Sequence, residues 1–481
     1  MKRTALLTTF LAVISFTFAQ QMDVTHFLTY QTQHYTDPAR LPLSRFYISF
    51  PALGNLHVGL QNSSFRYKKL FETDAEGYPV KITPNTFVNS LAKKDNYLNF
   101  AFNEEILAFG FRTQRLYFGF NYRIRANMDF SYSKDLFGFF VNGNMHYLGE
   151  SNAAQMELGI NANVYNEFAL NMGLQLENLS VGVRPKFLVG MLNVQTNKIA
   201  AQIHTNPDDY SIFMTYKADV QCSYTLPSQW TVNLDSMKVD FPMDDFKEMD
   251  MAKIRGIVQD MMRNRGLGVD IGARYTPIKK LTVAASMLDW GYIKWNVNTY
   301  KASSLMEDGG KYYNNGGFLF QGLTREDIDA IQNGTYDGEA LADSLKNYFS
   351  YEVKATSSYT VTLQPRYVLQ VDYDPIESFR ITAVAQGNFQ NHTFRPAFTV
   401  ALDKRFLDIL DVCAAYTLSK KSFDNLAVGV AVKLGFFNFY LATQSILPAI
   451  DITNFSKITL TAGMSLQFGS IVKKEEKEWL F

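Results

Sequence analysis

The feature that most constrains this chain is a period of two. Leu116, Phe118, Phe120, Tyr122 and Ile124 alternate with Tyr117, Gly119, Asn121, Arg123 and Arg125. One face is apolar and the other is small, polar or basic. Successive side chains of a strand point to opposite faces, so such a run predicts a strand with unlike sides. The pattern recurs. Leu158, Ile160, Ala162 and Val164 oppose Glu157, Asn161 and Asn163, and Leu170–Leu176 turns through Glu177-Asn178 into Leu179, Val181 and Val183. A two-residue link of that kind keeps Leu176 and Leu179 on one face. Tyr359, Val361, Leu363, Tyr367, Leu369 and Val371 oppose Thr360, Thr362, Gln364, Arg366 and Gln370 ahead of an expected turn at Asp374-Pro375. Phe379–Ala385, Leu426–Val432 and Ile458–Phe468 repeat the pattern to the end.

A secreted β-sandwich or propeller buries its apolar face against a second sheet, whereas a membrane barrel turns that face to lipid and keeps a polar interior. Arg123, Arg125, Arg184 and Lys186 stand on the polar face, where a second sheet would not accept them. Tight links alternate with long irregular ones, and no repeat of blade length occurs. The expected fold is all-β: a transmembrane antiparallel β-barrel of about 14 strands with short helical insertions.

The first residues predict the route. Lys2 and Arg3 precede an apolar run from Ala5 to Phe18, and Thr17 and Ala19 are small at the −3 and −1 positions of a cut before Gln20. That is a secretory signal peptide over 1–19. No later run of about 18 apolar residues predicts a spanning helix. The barrel is expected over 20–470 and a C-terminal tail over 471–481, with helical insertions near 132–141, 243–265 and 324–349. In the second insertion Phe246, Met249, Ile254, Ile257 and Met261 step by three or four residues behind Asp244 and Asp245.

Charge narrows the partners. Lys plus Arg is 46 and Asp plus Glu is 46, so nucleic acid, which needs a basic excess to displace counterions, is not an expected partner. No two of the six histidines lie at metal-binding spacing, and Cys222 and Cys413 are far apart on opposite faces. No metal, cofactor or disulfide is therefore expected. No nucleophile elbow or phosphate loop occurs, and the chain is not expected to be an enzyme. The polar faces carry Arg123, Arg125, Arg184, Lys186, Arg274 and Arg366 among ten basic groups, against Glu157, Asp219 and Asp270. Such a lumen is expected to be basic, with its balancing acids in loops. On this reading the six basic residues bind an acidic or amphiphilic ligand, such as a fatty acid or lipid phosphate. Asp244, Asp245 and Glu248 hold the second insertion in the barrel as a plug.

Five runs carry a resemblance: Asp37-Pro38-Ala39; Phe50-Pro51 with Gly54; Arg184–Gly190; Leu288-Asp289-Trp290-Gly291-Tyr292-Ile293-Lys294-Trp295; and Ala462–Leu466 at the close. With these the chain resembles a functionally uncharacterised family of Bacteroidota outer-membrane barrels that carry a domain of unknown function. The resemblance implies an outer-membrane barrel, similar in plan to long-chain fatty-acid channels and in contact with outer-membrane lipid. It implies no catalytic residue. A barrel accessory to a surface, gliding or type IX secretion complex is the other function it implies. Within the motif, alternation would carry Asp289 into lipid. A bulge at Gly291 is expected to turn it inward, with Trp290 and Trp295 at a membrane interface.

Overall fold

The computed structural model describes residues 24–28, 31–63, 71–73, 79–92, 96–225, 259–304, 318–321, 351–376, 378–390, 393–407, 409–418, 425–446 and 456–470, with a few isolated residues between them. The alternating runs fold as strands of one antiparallel sheet that closes on itself. Strand β1 is Ser44–Ser49 continued by Leu56–Asn62. After it come β2 (Asn96–Arg112), β3 (Leu116–Tyr132), β4 (Ala154–Gln175) and β5 (Leu179–Thr205). β6 consists of Ile212–Tyr224 and Arg265–Ile278, collinear because they pair with the two halves of β5 in the same direction. β7 is Leu281–Trp295 with Thr299–Ser304, and β8 is Tyr351–Ala355, Tyr359–Thr362 and Arg366–Ile376. β9 (Phe379–Gln390), β10 (Thr393–Phe406), β11 (Leu410–Leu418), β12 (Leu426–Leu434), β13 (Phe437–Thr443) and β14 (Lys457–Ser470) complete the wall.

β14 pairs with both pieces of β1, and both pieces pair with β2, which closes the ring. Among the described residues the sheet has twenty strands. Ile212–Tyr224, Thr299–Ser304, Phe318–Phe320 and Tyr351–Ala355 extend one side of the wall, and the other sixteen form the ring. Two wall positions in that ring, β1 and β8, are each shared by two strands, so it has fourteen positions. Closure removes the free edges that would leave backbone groups unpaired in lipid.

The two faces are inside out relative to a water-soluble sheet. On β8, Leu369 is 61% exposed and faces outward, while Gln370 and Asp372 are buried inside. Leu267, Ile271, Tyr275 and Ile278 continue the outer apolar belt on β6, and Phe437, Phe439 and Leu441 on β13. Aromatic rings gather at the short-turn end, where Phe46 and Phe436 pack on Phe468 and Phe50 stacks on Phe437. An apolar belt with an aromatic girdle is what a lipid-facing barrel requires. Among the described residues no helix is long and apolar enough to cross a membrane.

Several expectations need correction. Asp374-Pro375 is not the turn. The strand runs on to Ile376, because the Asp374 N–H stays in the ladder by donating to Lys280 O, and the link falls between Ile376 and Phe379. The first wall residue is Ser44, and the described residues from Val24 to Leu41 lie inside the barrel.

That inner segment is a plug, built from two 3-10 turns, Val24–His26 and Gln31–Tyr35, and an extended stretch beyond. Val24, Phe27 and Leu28 rest on a wall of small side chains, Cys413, Ala415, Ala427, Ala431 and Ala442, with Tyr440. Pro38 and its neighbours lie across Gly173, Gly182 and Gly272, which the ladders bring into one row across β4, β5 and β6. A Cβ at Gly182 would overlap the Pro38 carbonyl, so only glycine lets the backbone in this close. A Gly182→Val variant is expected to close its barrel and keep its heat-modifiable mobility while losing hydrogen-exchange protection across residues 31–41. Unchanged protection would refute the glycine seat.

Candidate functional site

Above the plug the lumen carries a connected set of ion pairs, and geometry explains their meeting. Arg123 on β3 lies directly across the ladder from Glu167 on β4, and Arg184 on β5 from Asp270 on β6. Inward side chains of one row on neighbouring strands stand side by side. Glu167 takes Arg123 at 2.6 Å, Arg125 at 3.1 Å and Arg184 as well. Asp270 takes Arg184 at 2.7 Å and Lys186 at 2.5 Å. Asp289 takes Lys186 at 2.7 Å, Arg125 at 2.7 Å and Arg366 at 3.1 Å. Glu167, Arg184, Lys186 and Asp270 are buried, so each charge depends on these partners.

Asp289 reaches the lumen through a bulge, although not at Gly291. The irregularity lies at Asp289 itself, whose φ is +57°, opposite the shift between Val269 and Ile271. Its own N–H donates to Asp270 Oδ1 at 2.6 Å, which secures that left-handed turn. Trp290 is exposed on the outer face. Trp295 is not at an interface. It is fully buried inside, because the bulge resets the alternation and Gly190 opposite leaves room for the ring. Trp295 joins Tyr165, Leu188, Ile293 and Leu363 in an apolar cluster, with Tyr359 and Val361 packed against it. Arg125 Cζ sits 5.5 Å from the centre of the Tyr165 ring, so this cluster adjoins the charged floor.

A second set of charges anchors the plug. Arg274 pairs with Asp37 of the plug and at 2.6 Å with Asp372 of β8. Tyr35 donates its hydroxyl to Glu105 and lies under Arg123, whose Cζ is 3.8 Å from the ring centre. Ser180 Oγ donates to Ala39 O at 2.8 Å, and Arg112 Nη1 to Pro42 O at 2.7 Å. His26 meets the Gln370 side-chain oxygen at 2.6 Å. Burial, reinforced by the Arg40 guanidinium, pushes His26 down to about 4.

The expected basic lumen with its acids in loops is therefore wrong. All six basic residues named from the sequence point inward, but Glu167, Asp270, Asp289 and Asp372 on the wall and Asp37 on the plug take them up. Alternation should have found Glu167 and Asp372, since each shares the parity of inward neighbours: Asn161 and Asn163 for one, Gln370 for the other. Asp244, Asp245 and Glu248, and nearly all of the insertion 324–349, lie outside the described residues. The insertion near 132–141 holds a helix, Lys134–Asn142, against β4 at the long-loop end. Among the described residues no group of three or more His, Cys, Asp or Glu side chains is arranged to hold a metal ion.

Glu167→Gln would leave Arg123, Arg125, Arg184 and Lys186 short of a carboxylate, and breaking a buried pair costs about 3–5 kcal/mol. Urea unfolding of the detergent-solubilised barrel is expected to show a loss of that order, and a neutral result would refute the pairing. For His26 the folded value lies below the free value of about 6.5, so the docked plug binds the proton less well than the released one. Docking is then strongest above about pH 6.5 and weakens as pH falls toward about 4. Exchange of the plug amides measured across that window should accelerate on acidification, and His26→Gln should flatten the slope.

A search of curated proteins returns no match. Among solved structures the chain is similar to a TodX monoaromatic hydrocarbon channel mutant, with 7% identity, a TM-score of 0.42 and coverage of 91% of this chain and 95% of that one. It is also similar to the P. putida toluene transporter TodX, with 6% identity, a TM-score of 0.39 and coverage of 92% and 94%. A Pseudomonas aeruginosa FadL homologue matches at 10% identity and a TM-score of 0.38, over 91% and 94% of the two chains. Likenesses of that size carry no argument about function. The model of a family of unknown function, DUF5723, matches residues 38–444, from the proline of the plug motif to the last strands of the wall. The chain belongs to that family.

Proposed function

We propose that this protein is an outer-membrane channel that binds and passes a hydrophobic or amphiphilic small molecule, with its N-terminal segment as the plug and no catalysis. The observation that carries this reading is the apolar cluster around Trp295, which lies inside the barrel beside the charged floor and, unlike the apolar contacts of Val24, Phe27 and Leu28, includes no residue of the plug. A lumen that merely had to be filled would continue the pattern of ion pairs and amides. An aromatic patch beside a charged floor instead suits a ligand with an apolar body, as small-molecule sites generally do. Of the six basic residues, Arg366 and Arg125 are the ones offered to cargo, with side chains 27% and 14% exposed. Arg123, Arg184 and Lys186 serve the wall and the plug, and Arg274 anchors the plug. The alternative, an accessory or scaffold barrel of a surface, gliding or type IX secretion complex, has no observation of its own among the described residues.

Titration of the reconstituted protein with N-phenyl-1-naphthylamine, a neutral apolar fluorophore, tests the reading. Saturable binding is expected, weakened about tenfold in Trp295→Ala by the loss of buried aromatic contact. A folded protein that binds neither this probe nor an amphiphile would overturn the channel reading.

A further inference from the structure

The connected ion pairs do not balance. Arg123, Arg125, Arg184, Lys186 and Arg366 are five cations, and the carboxylates that bridge them are three, Glu167, Asp270 and Asp289. The wall and the plug saturate most of this set. Glu167 and Asp270 are buried between strands, and Tyr35 covers Arg123 and Arg184 from the plug side. The shortage of negative charge therefore falls on the side facing the apolar cluster. Among the described residues Arg366 has Asp289 as its one carboxylate there, and Arg125 Nε is buried with no hydrogen-bond partner. Trp295 Nε1, inside the apolar cluster, is a second buried donor with no partner among the described residues.

Asp289 occupies an unusual place in this arrangement. It shares its carboxylate among Lys186, Arg125 and Arg366, it is the one of the three bridging carboxylates that pairs with Arg366, and a left-handed backbone turn holds it there. A buried donor without an acceptor, beside cations short of a counter-charge, is costly. One added anion on the open side would relieve both. We propose that the cargo is an acidic amphiphile, and that Asp289 is a built-in stand-in for its head group. The incoming carboxylate takes Arg366 and Arg125 from Asp289, while Asp289 keeps Lys186 and its own N–H bond to Asp270. The apolar tail then lies along Tyr165, Trp295, Leu363, Val361 and Tyr359. Asp289 thereby sets specificity: a neutral molecule gains nothing by displacing it, whereas an acid replaces one ion pair with another and supplies the missing charge.

This inference rests on the channel reading, so the test separates the two. The full chain, reconstituted in vesicles of neutral phospholipid, is titrated with dodecanoate and with methyl dodecanoate. Wild type is expected to prefer the acid. Asp289→Asn keeps the shape and a residue type that tolerates the left-handed turn, but removes the internal competitor. The acid-to-ester preference should rise about tenfold, as expected when one charged competitor is lost. Arg366→Gln, measured in the otherwise native chain, should abolish the preference, and it keeps the test open if Asp289→Asn fails to fold. A preference that is unchanged or reduced in Asp289→Asn, or retained in Arg366→Gln, would overturn the stand-in role and leave the channel reading in place. Binding of neither acid nor ester by the folded wild type would overturn both.

Discussion

The closing ladder, in which β1 is held between β14 and β2, is the constraint on which everything else rests. An apolar outer face survives only if no backbone edge is left for lipid or another chain to find. Here the first and last wall residues, Ser44 and Ser470, pair with each other. Closure makes an interior, and the interior sets the problem the remaining residues solve. Many inward charged side chains are withdrawn from bulk water, so those charges need an opposite charge within reach.

The protein meets that requirement in two tiers. The lower tier is the plug, whose backbone is let in by glycines in one row and whose Asp37 is caught by Arg274. The upper tier is the wall network of Glu167, Asp270 and Asp289. Tyr35 joins them, since its ring lies under Arg123 and its hydroxyl reaches Glu105. The plug and the charged floor are therefore one connected structure, and the apolar cluster around Trp295 lies on its far side. The Asp-Pro-Ala run and the Asp-Trp-Gly run, more than two hundred residues apart, supply one anchor to each tier.

Local alternation made much of this legible. It assigned faces to β3, β5 and β8, and so placed Arg123, Arg125, Arg184, Lys186 and Arg366 inside. It failed where alternation itself fails. The bulge at Asp289 shifts everything after it by one residue, which moves Trp295 from an expected membrane interface to the interior. Residues 24–41 have no strand period at all, and nothing in their own pattern says that they fold back into the barrel rather than begin it. The carboxylate partners were missed for a different reason. Glu167 and Asp372 belong to strands whose faces were readable, but their importance lies in which residues stand beside them on the next strand.

Face and class are properties of a strand and its neighbours in sequence, so the chain by itself determined a membrane barrel with charged residues turned inward. Pairing is a property of register between strands, and register is set by closure of the whole ring. Only the tertiary structure could therefore decide that carboxylates of the wall and the plug take up the inward basic residues. Likewise, only the tertiary structure could decide that the N-terminal segment is the plug and that Asp289 stands against Arg366. Each of those contacts joins residues whose separation in sequence carries no information until the sheet has closed.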